Sequence, residues 1–359
     1  MIGAFAFDGL PVRVVFGRGT LSRAPEEVER LDATRALVLT TPQQEAEGRK
    51  LGAALRSLFA GVYSGAKMHT PTDVTEHALK VMTDCGADCV VSLGGGSTTG
   101  LGKAIALRTG VNQLCIPTTY AGSEMTPILG ETKDGLKTTV RTPNVLPEAV
   151  IYDVDLTMSL PPALAATSGI NAIAHAVEAL YAENKNPITS LMAEEGIRML
   201  ASALPVIMAK PDDIDARSKA LYGAWLCGAC LGAVGMALHH KLCHTLGGTF
   251  DLPHAETHSI VLPHAMAYNA PAVPEAAAKI ATALGAADAA QGLYDLARRL
   301  NTKLALKDIG MPRDGIDKAA DLAVSNTYWN PRPLERSAIR DLIARAWTGD
   351  APVTIPLEV

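Results

Sequence analysis

Several features are scarce or missing in this sequence, and each absence excludes a class of protein. No cluster of Lys or Arg stands out and the net charge is −5, so the chain lacks the basic surface that nucleic-acid binding requires. The six cysteines lie mostly within apolar segments, without the spacing of a small disulfide-rich secreted domain. We therefore expect reduced thiols, a cytoplasmic location and no nucleic-acid partner.

A convincing membrane segment is also missing. The N-terminus has no basic region and reaches Asp8 too early for a secretion signal. The uncharged run from Ala220 to Leu238 just reaches the length that spans a bilayer, but it is rich in Ala and Gly and poor in residues that drive insertion. A helix buried inside a helical domain fits this composition better, so we expect no membrane partner.

The patterns that are present indicate two domains. At 359 residues, with 48% hydrophobic and 19% charged residues, the chain is too long for one ordinary core. Short apolar runs alternate with helical patterns up to about residue 160, which predicts a parallel sheet with strands near residues 35–40, 60–63, 88–93, 113–116 and 149–152. Long Ala- and Leu-rich helical periodicity follows. We predict a Rossmann-like α/β domain over residues 1–160 and an all-helical domain over residues 161–359, divided at Pro161-Pro162.

A glycine-rich loop follows one of the predicted strands and opens a helix. Its backbone N–H groups and the helix N-terminus favour an anion, although a tight turn without a ligand has the same pattern. A second polar loop follows the next strand, and the carboxyl ends of neighbouring parallel strands open on one crevice. Together the two loops predict a dinucleotide site made of Gly94, Gly95, Gly96, Ser97, Thr98, Lys103, Thr118, Thr119 and Ser123.

Histidines are concentrated in the second predicted domain. Seven of the nine lie there, at positions 175, 239, 240, 244, 254, 258 and 264. Asn171 and His175 are four residues apart, as are His240 and His244, so each pair lies on one helix face. A lone histidine on an apolar helix is usually a core residue, but several in one apolar segment need a shared polar cavity.

These motifs carry a family resemblance. Residues 169–179, GINAIAHAVEA, are followed by residues 240–248, HKLCHTLGG, and by Leu252-Pro253-His254. With the two polar loops, Lys137 and residues 262–264, they are similar in order and spacing to the iron-containing alcohol dehydrogenases. The resemblance covers nearly the whole chain and implies the architecture that this family shares with dehydroquinate synthase. It also implies a nicotinamide cofactor, with Lys137 at its site.

Two positions depart from the family pattern around the nucleotide. Thr41 stands where many NAD-specific relatives carry an Asp that binds the ribose hydroxyls and repels a 2′-phosphate, so the resemblance implies NADH or NADPH as cofactor. Gly100 replaces an acid common in relatives, so that contact is not carried over.

The metal ligands of the family depart as well. Its metal-using members hold the ion with an Asp and three histidines, which match Asn171, His175, His240 and His254. An amide oxygen is neutral, so tight metal binding should be lost and we expect no metal. This loss, together with residues 68–73, the His239-His240-Lys241 run and residues 328–333, resembles the maleylacetate reductase branch, which needs no metal. The implied reaction is reduction of maleylacetate to 3-oxoadipate in bacterial catabolism of aromatic rings.

The resemblance also implies roles for side chains. Without a metal, a histidine must stabilise the charge that develops on the substrate, and the candidates are His175, His240, His244 and His254. By its family counterpart, His244 lies beside the nicotinamide, while the proton donor stays unassigned. The dicarboxylate substrate needs polar or cationic partners, for which Asn171, Lys241, Arg332 and Arg336 are candidates, although a solvated surface position is at least as good a reading for the arginines.

Three other functions remain open at this point. The first is a metal-dependent alcohol dehydrogenase in which the Asn171 oxygen still helps to hold zinc or iron. The second is a dehydroquinate synthase-like lyase, and the third is a nucleotide-binding module without catalysis. The Cys227-x-x-Cys230 spacing invites a zinc or redox interpretation, but on an apolar helix a structural role is favoured. A homodimer is expected as the commonest state of soluble enzymes.

Overall fold

This computed structural model describes residues 5–7, 9–10, 12–325 and 328–356. The chain divides into two compact units, one of residues 9–160 and one built mainly of residues 161–359. Residues 5–7, which the sequence analysis placed in the first domain, group with the second unit.

The unit of residues 9–160, called here the nucleotide unit, contains a six-stranded sheet whose strands are all parallel. The strand order is β1-β8-β5-β4-β2-β3, and β6 and β7 form a separate antiparallel hairpin. The strands are β1 Arg13–Gly17, β2 Ala36–Leu39, β3 Phe59–Tyr63, β4 Cys89–Gly94, β5 Asn112–Pro117, β6 Ile128–Lys133, β7 Leu136–Arg141 and β8 Ala149–Asp153. The helices are α1 Ala24–Arg30, α2 Glu45–Leu55, α3 Thr72–Cys85 and α4 Gly96–Thr109. The predicted parallel α/β architecture is confirmed, whereas β1 and the hairpin were not predicted.

Alternation along the strands explains the two cores of this unit. Ala36 and Val38 of β2 pack in one hydrophobic cluster, and Leu37 and Leu39 pack in another. Successive side chains of a strand point to opposite faces, so both faces of the sheet are covered. A parallel sheet buried on both faces requires continuous apolar strands, and all of β4 is buried.

The unit of residues 161–359, called here the helical unit, contains no strand among its described residues. Its helices are α5 Pro162–Ala179, α6 Pro187–Ala209, α7 Ile214–Ala233, α8 Leu238–Phe250, α9 His254–Asn269, α10 Pro274–Leu284, α11 Ala289–Arg299, α12 Gly315–Ser325 and α13 Arg336–Thr348. Proline occupies the first turn of α5, where its missing N–H costs no helical hydrogen bond. At α6, Asn186 accepts from two backbone N–H groups and forms a capping box with Thr189. The predicted all-helical architecture is confirmed.

A three-residue turn, Asp251 to Pro253, joins α8 to α9. α8 ends at Phe250, Asp251 adopts a left-handed conformation with φ 53°, and Pro253 precedes the first residue of α9. α9 packs against both α8 and α5. The turn and the packing of α9 therefore bring side chains from α5, α8 and α9 together.

The uncharged run at residues 220–238 crosses the end of α7 and the start of α8. Among the described helices none alone has the length and apolar composition of a membrane span, and α7 and α8 meet that test only as a pair bent by 94°. Cys227 and Cys230 are buried on α7, and burial raises the pKa of both thiols, to about 12 for Cys230. Cys230 Sγ donates to Thr189 O at 3.5 Å, as a structural thiol would.

Candidate functional site

The glycine loop of the nucleotide unit joins β4 to α4. Gly94 ends the strand with φ 149°, a conformation that side chains rarely adopt, and Gly95 caps the helix. The hydroxyl of Thr98 donates to Gly95 O at 2.8 Å and closes the first turn. A loop with these dihedral angles at a helix N-terminus fits a pyrophosphate group.

Polar side chains crowd this loop. A Cβ at Gly94 would lie 2.7 Å from Gln44 Oε1 and 2.8 Å from Thr98 Oγ1, and a Cβ at Gly95 would lie 3.0 Å from Thr119 Oγ1. Only glycine fits so close an approach. Thr118 N donates to Gly94 O at 2.9 Å. The two polar loops therefore meet, as predicted from the order of the strands.

Gln44 links the cofactor positions predicted after different strands. It donates through Nε2 to Thr118 Oγ1 at 3.2 Å and accepts from Thr41 Oγ1 at 3.4 Å. Gln44 escaped the sequence analysis because it lies in a short 3₁₀ helix with no glycine pattern. At Gly100, a Cβ would lie 2.4 Å from Thr70 Oγ1, so the Thr70 side chain fills the space that a larger residue at position 100 would need.

Lys103 lies on α4 but serves the protein itself. Its ammonium donates to Ser123 O at 2.6 Å, Thr126 O at 2.7 Å, Thr126 Oγ1 at 2.9 Å and Ile128 O at 2.9 Å. These acceptors use all the ammonium protons, so Lys103 fixes the chain after β5 rather than reaching a ligand. Burial lowers its pKa to about 7. Ser123 contributes its carbonyl oxygen to this arrangement, and the side chain of Lys137 lies outside what the structure describes.

In the helical unit, imidazole rings from α5, α8 and α9 form a continuous histidine cluster. The ring-centroid distances are 5.2 Å for His175–His240, 5.2 Å for His239–His240, 5.0 Å for His240–His258, 4.8 Å for His239–His258, 4.3 Å for His254–His258, 6.4 Å for His240–His244 and 6.4 Å for His244–His254. His244 and His254 are exposed, whereas the other four rings are buried. The cluster thus runs from two exposed rings to a buried base.

Glu178 anchors the base of the cluster. This fully buried carboxylate accepts from Ala237 N at 2.9 Å, from His239 N at 2.9 Å and from His240 N at 3.4 Å. It also bonds His240 Nδ1 at 2.7 Å. A carboxylate only accepts, so His240 carries a proton on Nδ1 and its Nε2 is a lone pair in the neutral ring. Glu178 therefore satisfies the N-terminus of α8 and sets the tautomer of His240.

A second imidazole pair lies beside the first. His239 Nε2 and His258 Nδ1 are 3.0 Å apart, and Cys243 Sγ lies 3.8 Å from His239 Nε2. These three residues form the one group of described His, Cys, Asp or Glu side chains whose ligand atoms all lie within 4.8 Å of one another. The direct bond between the imidazoles accounts for their proximity, and burial keeps Cys243 protonated by raising its pKa well above the usual value.

Several buried polar atoms in the cluster have no hydrogen-bond partner among the described residues. They are Asn171 Oδ1, His175 Nδ1, His240 Nε2 and His258 Nε2. An unpaired buried polar atom costs about 1–3 kcal/mol, so such a group indicates a place for a ligand. Burial lowers the pKa of His175, His239 and His258 well below the usual value, and neighbouring imidazoles lower it further. These three rings are therefore neutral at physiological pH.

Comparison with known proteins identifies the family. Residues 11–154 match the model of the iron-containing alcohol dehydrogenases, and residues 165–347 match the model of the C-terminal part of the Fe-containing alcohol dehydrogenase family. The chain belongs to the iron-containing alcohol dehydrogenase family.

Members of this family with known activity include close relatives of the chain. The maleylacetate reductase of Rhizobium sp. strain MTP-10005 is 56% identical over 348 residues, covering 97% of this chain and 99% of the relative. The maleylacetate reductase of Burkholderia cepacia is 55% identical, covering 98% and 100%. The crystal structure of maleylacetate reductase from Agrobacterium tumefaciens superposes with a TM-score of 0.95 at 56% identity, covering 98% and 100%. The predicted resemblance is confirmed, and the chain is an oxidoreductase.

The iron that names the family finds a weak donor set here. The four positions that resemble its metal ligands carry an amide and three imidazoles, so no ligand is anionic. The carboxylate of Glu178 is directed to His240 Nδ1 and to backbone N–H groups. The residues at the four metal positions therefore fit a divalent ion poorly.

The predicted substrate cations have different surroundings. Lys241 Nζ lies 5.5 Å from the centroid of the Tyr328 ring, next to the cluster on α8. Arg332 is buried, donates to Tyr268 O and Ile355 O, and stacks 4.5 Å from the Tyr268 ring. Arg336 pairs with Asp317 and Asp321 on the exposed surface. The structure therefore places the ammonium of Lys241, one residue after His240 on α8, against Tyr328, and gives both arginines structural partners.

The segment that contains Arg332 also holds α8. Asn330 Oδ1 accepts from Leu238 N at 3.3 Å, and the side chains of Asn330 and Asn269 exchange hydrogen bonds. This segment thus fixes the start of the helix that carries His239, His240 and His244.

Sequence reasoning missed Glu178, His239 and His258. A signal was present for each: Glu178 is seven residues after Asn171 on the same helix face, His254 and His258 are four apart, and His239 and Cys243 are four apart. The contact between His239 and His258 depends on the packing of α8 on α9, which no local pattern specifies.

Proposed function

We propose that this chain reduces the carbon–carbon double bond of maleylacetate to give 3-oxoadipate, with NADH or NADPH and without a divalent metal, as part of aromatic-compound catabolism. The observation that carries the proposal is the histidine cluster, in which Asn171 stands at the position of a family acid and buried nitrogens have no partner within the described residues. The identity of 56% and 55% to two maleylacetate reductases, over nearly the whole chain, supports this substrate.

The substrate is a ketone conjugated to a double bond, with a carboxylate at each end. Hydride adds to the alkene carbon β to the ketone, the electron pair of the double bond moves toward the ketone oxygen, and a proton adds to the adjacent carbon. A bound nicotinamide nucleotide supplies the hydride. Negative charge on the ketone oxygen is greatest between these two events, and that is where a protein gains most by stabilising it.

The histidine cluster suits this task. Burial lowers the pKa of His175, His239 and His258, so these three neutral rings offer hydrogen bonds to the substrate without a fixed positive charge. Lys241 and the exposed rings of His244 and His254 provide groups that bind carboxylates. Asn171 contributes an amide, which both donates and accepts.

The glycine loop suits either coenzyme. Thr41 is neutral and its hydroxyl bonds Gln44, so no carboxylate at this position repels a 2′-phosphate. We expect turnover with both NADH and NADPH.

The decisive experiment follows the loss of NADH or NADPH absorbance with maleylacetate, before and after exhaustive treatment with a chelator, alongside elemental analysis of the protein. We expect full turnover after chelation and product identified as 3-oxoadipate. Activity that disappears with the chelator and returns with zinc or iron would show a metal-dependent dehydrogenase instead. Absence of any net coenzyme oxidation would favour a lyase.

A further inference from the structure

His258 occupies a position in the cluster that the family motifs did not single out. It lies one turn after His254 on α9 and is fully buried. Its ring lies 4.3 Å from that of His254 and 5.0 Å from that of His240, measured between centroids. Its Nε2 has no partner among the described residues. A ligand atom can satisfy a nitrogen that is buried in this way.

The other nitrogen of His258 is already engaged. His258 Nδ1 and His239 Nε2 are 3.0 Å apart, so one of the two neutral rings donates and the other accepts. When His239 donates, the proton of His258 is on Nε2 and is available to a ligand. When His239 accepts, His258 Nε2 is a lone pair. The tautomer of the pair therefore decides whether His258 is a donor.

His240 cannot take the same role in its neutral form. Its Nδ1–H is committed to Glu178 at 2.7 Å, which leaves Nε2 as an acceptor. Asn171 Oδ1, which no described residue bonds, is also an acceptor. A substrate whose polar groups are carboxylates and a ketone offers only acceptor oxygens, so it binds the tautomer of the pair in which His258 Nε2 carries the proton.

We propose that His258 Nε2–H donates to the ketone oxygen of the substrate as that oxygen gains negative charge, and that His239 is the positioning residue that holds His258 in this tautomer. The proposal rests on the proposed function and names a catalytic residue for it. It involves no covalent step, because the proton stays on His258 while the charge passes through the oxygen. Because α8 packs against α9, the His258 donor is held in place before negative charge develops on the ketone oxygen.

The test compares two substitutions of similar size and flexibility. His258→Gln keeps an N–H donor near the position of Nε2, and His258→Met removes it. We expect His258→Met to lower kcat about 100- to 1000-fold, as loss of one such donor does elsewhere, with KM changed less than about threefold. His258→Gln should recover at least about tenfold of that loss.

His239→Leu tests the positioning residue. It should lower kcat by less than His258→Met does, because His258 then adopts both tautomers. NADH affinity should remain that of the parent in all three variants. His77→Gln, at an exposed histidine of the nucleotide unit, is the matched control and should leave kcat unchanged.

The outcomes separate this proposal from the one it rests on. A parent protein that does not reduce maleylacetate overturns the proposed function and this role with it. With an active parent, equal kcat values for the Gln and Met variants overturn the donor role alone. Equal and near-parental values would show that His258 is dispensable, and equally low values would show a structural role.

Discussion

In the glycine loop, polar side chains bond one another and the backbone, whereas in the histidine cluster several buried polar atoms have no partner among the residues that the structure describes. Gln44 bonds Thr41 and Thr118, and the Thr98 hydroxyl bonds Gly95 O, so the loop is closed on itself. In the cluster, the carboxylate of Glu178 accepts from backbone N–H groups at the start of α8. Within the described part of the chain, His175 Nδ1, His240 Nε2 and His258 Nε2 have no hydrogen-bond partner.

Under the proposed function, the difference reflects the kind of ligand that each region binds. A phosphate is recognised by backbone N–H groups at a helix N-terminus, so the surrounding side chains serve to shape the loop. A reacting substrate has to be recognised by side chains, and these must remain unsatisfied until it arrives. Three predictions test this contrast, beginning with the largest expected effect.

The first prediction concerns Glu178, whose carboxylate accepts hydrogen bonds at the base of the cluster. Glu178→Gln places an amide N–H among backbone N–H donors and removes the charge they bond, so we expect the free energy of unfolding to fall by on the order of 3 kcal/mol. Urea unfolding followed by circular dichroism measures the change. The matched control is Glu194→Gln, which breaks an exposed ion pair with Lys279 and should cost less than about 1 kcal/mol. Similar costs for both substitutions would contradict the anchoring role of Glu178.

The second prediction concerns the glycine loop. Gly94→Ala introduces a Cβ within 2.8 Å of Gln44 and Thr98 at a φ of 149°, so the loop must shift. We expect the Kd for NADH, measured by fluorescence titration, to rise by about tenfold or more.

Gly110→Ala is the control on the same helix. Gly110 caps the C-terminus of α4 at φ 73°, and a Cβ there meets nothing within 4 Å. This substitution should lower stability by about 1 kcal/mol and leave the Kd unchanged. An unchanged Kd in Gly94→Ala would show that the closed loop is not the phosphate site.

The third prediction uses His264, a buried histidine away from the cluster whose Nε2 has no partner among the described residues. Burial, with a contribution from Arg345, lowers the pKa of His264 to about 4, while Asp350 acts in the opposite direction. Asp341 and Tyr268 line the same small cavity of about 20 Å³. The folded ring is neutral, and the unfolded ring gains a proton below its usual pKa near 6.5. Its contribution to stability is therefore complete above about pH 6.5 and is lost as the pH falls toward 4.

His264→Gln should remove this dependence. Between about pH 6 and 4, the stability of the parent should fall more steeply than that of the variant by up to about 1.4 kcal/mol per pH unit. Above about pH 7.5 the difference between the two proteins should be constant. Equal slopes over the acidic range would mean that the ring is protonated in the folded protein as easily as in the unfolded one.

The sequence predicted those structural elements whose residues form a clear pattern along the chain. Continuous apolar strands such as β4 and the change to helical periodicity after residue 160 predicted the architecture. Strand β1 was missed because Val15 is its one buried residue. The hairpin was missed because β6 and β7 are rich in polar residues and lack an apolar pattern. The polar loops were found because parallel topology brings strand ends together.

The histidine cluster was predicted only in part for the same reason. Pairs four residues apart on one helix were visible, as for His240 and His244. The contact between His239 and His258 joins α8 to α9, which are connected by the turn at Asp251. The hydrogen bond between the two rings depends on how these helices pack. Arginines chosen by charge alone proved to have structural partners, since charge does not reveal where a flexible side chain is directed.

The hydrogen bonds of Asn330 and Arg332 connect the C-terminal part of the chain to the helix that carries the histidines. Asn330 holds the first turn of α8, and Arg332 joins the same segment to Ile355 O. Shortening the protein before Ile355, or fusing a bulky tag close to it, would remove or weaken the hydrogen bond that Ile355 O accepts from Arg332. This bond helps to hold the segment that contacts the start of α8. Engineering of this enzyme should therefore preserve residues 328–355 because they support the position of α8, although none of them belongs to the cluster.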